Sequence, residues 1–228
     1  IPFADDLSWS GSEYGVVGRH DSTGSWQVHV QRLDQDGAQV DVPSEISSQS
    51  GTVLYPAIHW GASEWGVAWR QYSSASSENL YYATVDPLGT RLTSEIVLEP
   101  NREDVDHPAM TWSGSEFGIV YERRPTTYYN FGTRISSVHP DGTIGIQSSY
   151  DIGETGFATA PDLAWSGSLW IASYESPPTS GAFPEIFTRM KTVDDSNVDV
   201  VQVSTSGTMY FRESAIACSP TRCGVVWG

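Results

Sequence analysis

The chain has 228 residues, 39% of them hydrophobic, so it is long enough to bury a core in one or two domains. Its 12 Lys and Arg stand against 28 Asp and Glu, and the formal charge of -16 argues against nucleic acid or an anionic membrane surface as a partner. No run of residues approaches the roughly 18 apolar positions of a membrane span, which predicts no membrane insertion. With 21 Gly, 13 Pro and few helix-forming runs, the composition favours strands and tight turns over a helical bundle or an α/β fold.

A tryptophan-containing motif stands at the start of the chain and recurs four times. It first reads DLSWSGSEYGVVG, and its central position is occupied in turn by Trp9, Trp60, Trp112, Trp165 and Cys218. Successive copies are 51, 52, 53 and 53 residues apart. We therefore predict one domain over 1–228, with repeats of about 5–55, 56–107, 108–160 and 161–213 and a partial repeat over 214–228.

Each full repeat is predicted to contain four strands. The motif indicates two strands, A and B, around a Ser-Gly-Ser-Glu turn, and an alternating strand C, a second turn and a strand D follow. Four antiparallel strands in about 50 residues are typical of a β-propeller blade. We predict an all-β propeller with five blades, the last one abbreviated. Four blades plus an extra hairpin, or a fragment of a longer propeller, are the alternatives.

The A–B hairpin has one bulky and one small face. In the second repeat Ile58, Trp60 and Trp65 share the bulky face, whereas Ala57 and Gly66 share the other face. The bulky face of one sheet is therefore expected to pack against the small face of its neighbour.

The two cysteines occupy positions that hold aromatic residues in the other repeats. Cys218 stands at the strand A tryptophan position and Cys223 at the strand B aromatic position. Residues that face each other at a non-hydrogen-bonded site are within disulfide reach, so we predict a Cys218–Cys223 disulfide. Two reduced thiols, or a metal site, are the alternatives. A disulfide in an acidic protein predicts a secreted or cell-surface, extracytoplasmic location.

The motif P-x-L-x-W-S-G-S-E-Y-G-V-x-W resembles a β-propeller repeat class of secreted and surface proteins of bacteria. The segment from Ala217, ACSPTRCGVVW, is similar to the Cys-paired variant of that class. The resemblance covers nearly the whole chain and implies a propeller fold, but it brings no catalytic residue with it. In architecture the chain is also similar to five-bladed propeller lectins, although it lacks their characteristic repeat sequence.

The loops that join strands B to C and D to A differ between repeats, so the binding site is expected on the face that carries them. Arginines at or beyond the ends of the B strands could bind carboxylate or sulfate groups of a ligand, or could pair with acidic residues of the protein. Tyrosines on this face could stack on sugar rings, or could pack beneath the loops. The predicted ligand-binding residues are Arg19, Arg70, Tyr72, Arg123, Tyr128, Tyr129 and Tyr55.

Acidic residues on the same loops suggest two further sites. Asp104, Asp106 and His107 are a weak candidate for a divalent cation such as Ca²⁺, although their spacing matches no calcium loop and a solvated acidic loop is the simpler interpretation. We otherwise expect no cofactor. A carboxylate pair for glycoside hydrolysis could be assembled from residues at the near-face ends of strands A and B. These candidates are Asp5, Glu122, Asp162 and Glu175.

The sequence thus favours a binding module for carbohydrate, of lectin type, or for a protein ligand. The alternative is a glycoside hydrolase of the five-bladed propeller type. The protein is predicted to be a monomer, or an oligomer formed through an exposed sheet edge.

Overall fold

The first four repeats each fold into a four-stranded antiparallel sheet, and the fifth folds into a two-stranded hairpin. The computed structural model describes residues 3–21, 24–48, 51–74, 77–99, 104–124, 132–147, 158–177, 182–194, 196–205 and 213–228. These ranges contain no helix, and so none that could cross a membrane. The predicted all-β propeller is confirmed.

Within each sheet the strands are neighbours in chain order. Blade 1 contains β1 (Phe3–Trp9), β2 (Tyr14–Asp21), β3 (Trp26–Leu33) and β4 (Ser44–Glu45). Blade 2 contains β5 (Thr52–Trp60), β6 (Trp65–Ser74), β7 (Ser77–Val85) and β8 (Ile96–Glu99). Blade 3 contains β9 (Asp104–Trp112), β10 (Phe117–Arg124), β11 (Gly132–Val138) and β12 (Ile144–Gln147). Blade 4 contains β13 (Thr159–Trp165), β14 (Trp170–Ser176), β15 (Glu185–Lys191) and β16 (Asn197–Gln202), and the final hairpin contains β17 (Ala215–Cys218) and β18 (Cys223–Val226).

The first strand of each sheet is the inner strand of its blade. β1 packs beside β5, β5 beside β9, β9 beside β13, and β13 beside β17. The inner strands therefore surround a central axis, and the remaining strands of each blade lie further out.

The Ser-Gly-Ser-Glu sequence closes the first hairpin of a blade with a fixed set of contacts. In blade 1 the N–H of Ser10 donates to the carbonyl of Glu13 at 2.9 Å, and the N–H of Glu13 donates to Oγ of Ser10 at 3.0 Å. Gly11 between them has a φ of 100°, which favours glycine. Ser113 and Glu116 make the same pair of contacts in blade 3. The same turn therefore closes the first hairpin of blade 1 and of blade 3.

Neighbouring blades are joined by an aromatic ring that lies over a glycine of the preceding blade. The three pairs are Trp65 over Gly15, Phe117 over Gly66 and Trp170 over Gly118. A Cβ atom on Gly66 would lie 2.7 Å from Cδ1 of Phe117, closer than real Cβ atoms approach another atom. The expected packing of a bulky face on a small face is confirmed, and the glycine is what admits the ring.

The final hairpin packs on blade 4 with different residues at the two contact positions. At the position of the glycine, blade 4 has Ile171, and at the position of the aromatic ring the hairpin has Cys223. Ile171 and Ile216 share an apolar cluster against which Cys218 and Val225 pack. Cys218 and Cys223 face each other across the hairpin and form a disulfide with an S–S distance of 2.00 Å, which confirms that prediction.

The surface between the final hairpin and blade 1 is not packed like the other interfaces. Leu7 on the bulky face of blade 1 is 59% exposed, whereas Ile58 at the same repeat position is 2% exposed. On the hairpin, Val226 is 68% exposed, and a Cβ atom built on Gly224 would meet no described atom within 4 Å. Among the residues that the structure describes, the propeller therefore has an open seam between its last and first blades.

Several strands are longer than the sequence indicated. The inner strands β5 and β9 begin earlier and include residues 52–55 and 104–107, which we expected in D–A loops. The second strand β6 ends later and includes residues 70–72, which we expected in a B–C loop. The reason is that pairing continues beyond an irregularity in the strand: Thr52 still pairs with Tyr72.

Gly66 and Gly224 occupy the same repeat position, but only Gly66 lies beneath an aromatic ring. Gly66→Ala places a methyl group against the buried ring of Phe117, so we expect it to lower the free energy of unfolding by about 1 to 3 kcal/mol. Gly224→Ala is the matched control, because the same methyl group enters open space there. Urea denaturation of both variants measures the difference, and equal losses would contradict this role of the glycine.

Candidate functional site

Inner strands of blades 2, 3 and 4 carry a β-bulge just before the motif. The pairing of β5 with β6, for example, shifts between Leu54 and Ala57. Four non-glycine residues at this repeat position have a positive φ, namely 48° at Tyr55, 44° at His107, 47° at Ala160 and 53° at Glu213. Such angles are costly outside glycine, so the surrounding fold must impose them. Bulges re-aim side chains, and here they do so at the axis.

These bulges line a funnel of about 430 Å³ at the axis. Its wall is built from the four inner strands and from the residues that lead into β17. Its polar and aromatic members are Asp5, Asp6, Tyr55, His59, His107, Asp162, Glu213 and Ser214. Because this position holds Tyr55, His107, Ala160 and Glu213 in the second to fifth repeats, a repeated scaffold presents a varied lining, which is typical of a binding site.

Asp6 connects blade 1 to blade 2. Its Oδ1 accepts the N–H of Leu7 at 2.8 Å, and its Oδ2 accepts the N–H of Ile58 in blade 2 at 2.9 Å. Partial desolvation by the funnel wall raises the pKa of Asp6, and the negative charges of Asp162 and Asp5 raise it further, against the effect of the two N–H groups.

Asp162 makes the same connection from blade 4 to the final hairpin. Its two oxygens accept the N–H of Leu163 at 2.8 Å and the N–H of Ile216 at 2.7 Å. Desolvation raises the pKa of Asp162 as well. Two carboxyl groups from blades that are not adjacent in the chain order thus face one funnel, and each charge opposes ionisation of the other.

His107 in the wall is paired with Glu122, which does not itself line the funnel. Oε1 of Glu122 lies 3.4 Å from Nδ1 of His107 and accepts the N–H of Ala160 at 2.6 Å. The hydrogen bond to Glu122 raises the pKa of His107, and the charge of Asp106 adds to this effect, whereas burial opposes it. The ring of Tyr55 lies against that of His107, with ring centroids 4.4 Å apart and the two planes tilted by 33°.

Glu175 occupies the repeat position of Glu122 and supports the next bulge. Its Oε1 accepts the N–H of Glu213 at 2.7 Å. Both glutamates are buried and hold the main chain of a bulged residue, so of the four predicted carboxylates only Asp5 and Asp162 line the funnel itself.

The predicted arginines pair with carboxylates of the protein. Arg19 donates two hydrogen bonds to Asp5, at 3.0 and 2.9 Å. Arg70 lies 2.8 Å from Glu78 and 3.1 Å from Asp106, and Nε of Arg123 lies 3.7 Å from Oε1 of Glu99. None of the three arginines lines the funnel as the structure describes it.

The remaining predicted residues are divided between the funnel, the sheet and the undescribed ranges. Tyr55 lines the funnel, whereas Tyr72 lies in β6 and is not part of its wall. Tyr128 and Tyr129 lie outside the described residues, as does the side chain of Asp104. Among the described side chains, no group of three or more His, Cys, Asp or Glu is placed to hold a metal ion.

Sequence reasoning missed Asp6, His59 and Glu213 as wall residues. Asp6 aligns with Asp162, where the other three repeats have alanine, and this difference was a usable signal. Burial lowers the pKa of His59, whose Nδ1 lies 2.9 Å from the carbonyl oxygen of Trp60. Glu213 carried no signal, because the positive φ at this residue and its place in the funnel wall are visible only in the tertiary structure.

The chain matches no known family model and no curated protein. Among solved structures it is similar to an endo-arabinase from Bacteroides thetaiotaomicron VPI-5482, with a TM-score of 0.55, 9% identity, and coverage of 99% of this chain and 88% of that one. An α-L-arabinofuranosidase from Podospora anserina in complex with cellotriose gives 0.53 and 10%, covering 95% and 77% of the two chains. A GH43 endo-arabinanase from Bacillus licheniformis gives 0.51 and 10%, covering 93% and 84%. At such identities the likeness shows the shared β-propeller fold.

The contact between His107 and Glu122 makes stability depend on pH. Folding raises the pKa of His107 above 6.5. The stabilisation that the contact with Glu122 provides is therefore complete below pH 6.5 and is lost as the pH rises through the raised pKa. We expect Glu122→Gln to destabilise the protein more at about pH 6 than at about pH 8.5, since glutamine keeps the acceptor for Ala160 but loses the charge.

Glu175→Gln is the matched control, because Glu175 holds a bulge N–H in the same way and no histidine is placed beside it in the described structure. Denaturant midpoints at the two pH values, with an NMR titration of His107, make the comparison. An unchanged His107 pKa in Glu122→Gln would rule out the interaction.

Proposed function

We propose that this protein is a glycoside hydrolase whose carbohydrate substrate enters the axial funnel. The observation that carries the proposal is the pair Asp6 and Asp162, two carboxyl groups of raised pKa that line one funnel from separate blades. Glycosidases use such a pair, one as an acid and one as a carboxylate. Support also comes from the fold, since solved structures of arabinan-degrading enzymes share it.

In this mechanism Asp6 is the general acid. Its pKa is raised by desolvation and by two neighbouring negative charges, so it holds its proton longer than an ordinary aspartate. It donates that proton to the glycosidic oxygen as the bond to the anomeric carbon breaks. The main-chain N–H groups of Leu7 and Ile58 hold the carboxyl group in place, and each of its oxygens keeps a second lone pair.

Asp162 acts as the ionised partner. It lies on a blade not adjacent to that of Asp6, and in this mechanism a water molecule occupies the funnel between the two residues. Asp162 takes a proton from this water, whose oxygen bonds to the anomeric carbon. Tyr55, which is 38% exposed and packs against His107, offers an aromatic ring on which a sugar ring can stack.

One observation favours a second function, carbohydrate binding without hydrolysis. Both oxygens of Asp6 and of Asp162 accept main-chain N–H groups of their own and the next blade. The same contacts would be needed if these residues only held the blades together around a sugar site. In both functions the ligand is a carbohydrate, and the disulfide supports an extracytoplasmic location.

Hydrolysis of arabinan and of 4-nitrophenyl glycosides by the full chain, followed by reducing-sugar and absorbance assays, tests the proposal. We expect Asp6→Asn and Asp162→Asn each to lower kcat/KM by about 100-fold or more, as loss of an acid or base does. Asp199→Asn is the matched control, because Asp199 also accepts the N–H of the following residue but lies on the outer strand β16. We expect that variant to retain wild-type activity.

Unfolding midpoints of the three variants separate a loss of chemistry from a loss of structure. Saturable binding of arabinan oligosaccharides without any turnover, abolished in Tyr55→Ala, would replace the hydrolase by the binding function. If neither binding nor turnover of any tested carbohydrate is found, both functions are wrong.

A further inference from the structure

In the described part of the chain, three carboxyl groups of the funnel wall have no positive charge beside them. Asp5 is not one of these, because Arg19 donates two hydrogen bonds to it, at 3.0 and 2.9 Å. Asp6, Asp162 and Glu213 form no ion pair with any lysine, arginine or histidine among the residues that the structure describes. The oxygens of Asp6 and Asp162 accept main-chain N–H groups instead. Their negative charge therefore has no counter-charge within the described wall.

The histidines of the wall do not balance these carboxyl groups. Two histidines line the funnel, and no lysine or arginine is found among its described lining residues. Burial lowers the pKa of His59, so its ring is uncharged at neutral pH. Nδ1 of His107 lies 3.4 Å from Oε1 of Glu122 and 3.7 Å from Oδ1 of Asp106, so its positive charge already has partners outside the funnel lining.

Asp162 and Glu213 belong to the same part of the wall. Asp162 accepts the N–H of Ile216 at 2.7 Å, and Glu213 precedes Ile216 by three positions. The N–H of Glu213 is held by Glu175 of blade 4, also at 2.7 Å. The segment that leads into β17 is thus tied to blade 4 at two points. The two carboxyl groups consequently line the funnel from one side.

These charges determine which ligands the funnel favours. The negative charges of Asp162 and Asp5 raise the pKa of Asp6, so the carboxyl groups act on one another across the funnel. An anionic ligand would add to this repulsion. An ammonium group would relieve it and would form charge-assisted hydrogen bonds with the carboxylates. The wall also offers the aromatic ring of Tyr55, which is 38% exposed, so a ligand with both a positive charge and a sugar ring fits this lining.

We propose that the funnel binds an amino sugar, an oligosaccharide whose units carry a protonated amino group where other sugars carry a hydroxyl group. This inference rests on the proposed function, because it names the class of carbohydrate for the same funnel. The ammonium group donates hydrogen bonds to Asp162 and Glu213, and each oxygen of Asp162 keeps a second lone pair for such a bond. The ring of Tyr55 contacts a face of the sugar. Sugars that carry carboxylate or sulfate groups are repelled by the same carboxylates.

Calorimetric titration of the full chain with two trisaccharides tests the proposal. The probes are the glucosamine trisaccharide and cellotriose, which have the same linkage and differ in carrying an ammonium or a hydroxyl group on the second carbon of each unit. At about pH 6 and low salt we expect the glucosamine trisaccharide to bind at least tenfold more tightly. Sodium chloride at about 1 M, which shortens the screening length to about 3 Å, should remove most of this difference.

Two variants separate the funnel from the general attraction of a cation to a protein with a formal charge of -16. Glu213→Gln removes one carboxylate from the wall and keeps the main-chain bond to Glu175. We expect it to weaken binding of the glucosamine trisaccharide at least fivefold and to change binding of cellotriose less than twofold. Asp199→Asn is the matched control, because it removes the same charge from β16, outside the funnel lining. It should change the affinity for either sugar less than twofold.

The peptide trilysine tests whether the sugar ring is needed. It carries positively charged side chains in the same number as the glucosamine trisaccharide carries amino groups, but it has no ring to contact Tyr55. We expect it to bind at least tenfold more weakly than the glucosamine trisaccharide. Equal binding would overturn the proposal, because the ligand would then be a cationic peptide.

Other results would also overturn the amino-sugar assignment. They are equal or tighter binding of cellotriose, no binding of either trisaccharide, and equal effects of Glu213→Gln and Asp199→Asn. Turnover of arabinan or of nitrophenyl glycosides without a preference for the glucosamine trisaccharide would overturn this assignment and leave the hydrolase in place. Tight binding of the glucosamine trisaccharide without turnover of any glycoside would support the assignment and favour the binding function over the hydrolase.

Discussion

The contact of an aromatic ring with a glycine of the preceding blade is the interaction on which the rest of this structure depends. Two packed sheets leave a space about 10 Å deep, and a ring from one side fills it only where the other side has no Cβ atom. Trp65, Phe117 and Trp170 fill it in this way. Where blade 4 has Ile171 instead of glycine, the next hairpin has Cys223 instead of an aromatic ring; Ile171 packs with Ile216 there, and the disulfide joins the two strands of the hairpin. Each blade thereby fixes the orientation of the next.

This arrangement brings the inner strands together, and it makes the wall of the site part of the scaffold. Asp6 and Asp162 reach across to main-chain N–H groups of the following blade, while Glu122 and Glu175 hold the main chain of bulged residues. The carboxyl groups available for chemistry are therefore also held rigidly, as a reacting group must be. Desolvation raises the pKa of both aspartates, and the negative charges of Asp162 and Asp5 raise that of Asp6 further.

Several features of the site followed from the sequence, and others did not. Asp5, Asp162 and Tyr55 were candidates before the structure was known, and they line the funnel. The arginines were also candidates, but Arg19 and Arg70 are paired with Asp5, Glu78 and Asp106, because in a protein this acidic each guanidinium has carboxylates close by. A repeat alignment gives the position of a charge along a strand and not the partner that a neighbouring blade presents to it.

The repeat by itself determined the class of fold, the number of hairpins, the disulfide and the face on which each motif residue lies, because strand periodicity and turn chemistry are local properties. The tertiary structure alone decided two things: the positions of positive φ that place Tyr55, His107 and Glu213 in the funnel wall, and the seam beside Leu7, which is open in the described part of the chain. Each of these depends on contacts between residues far apart in the chain, and a motif that is nearly the same in every repeat does not encode how the last blade differs from the others.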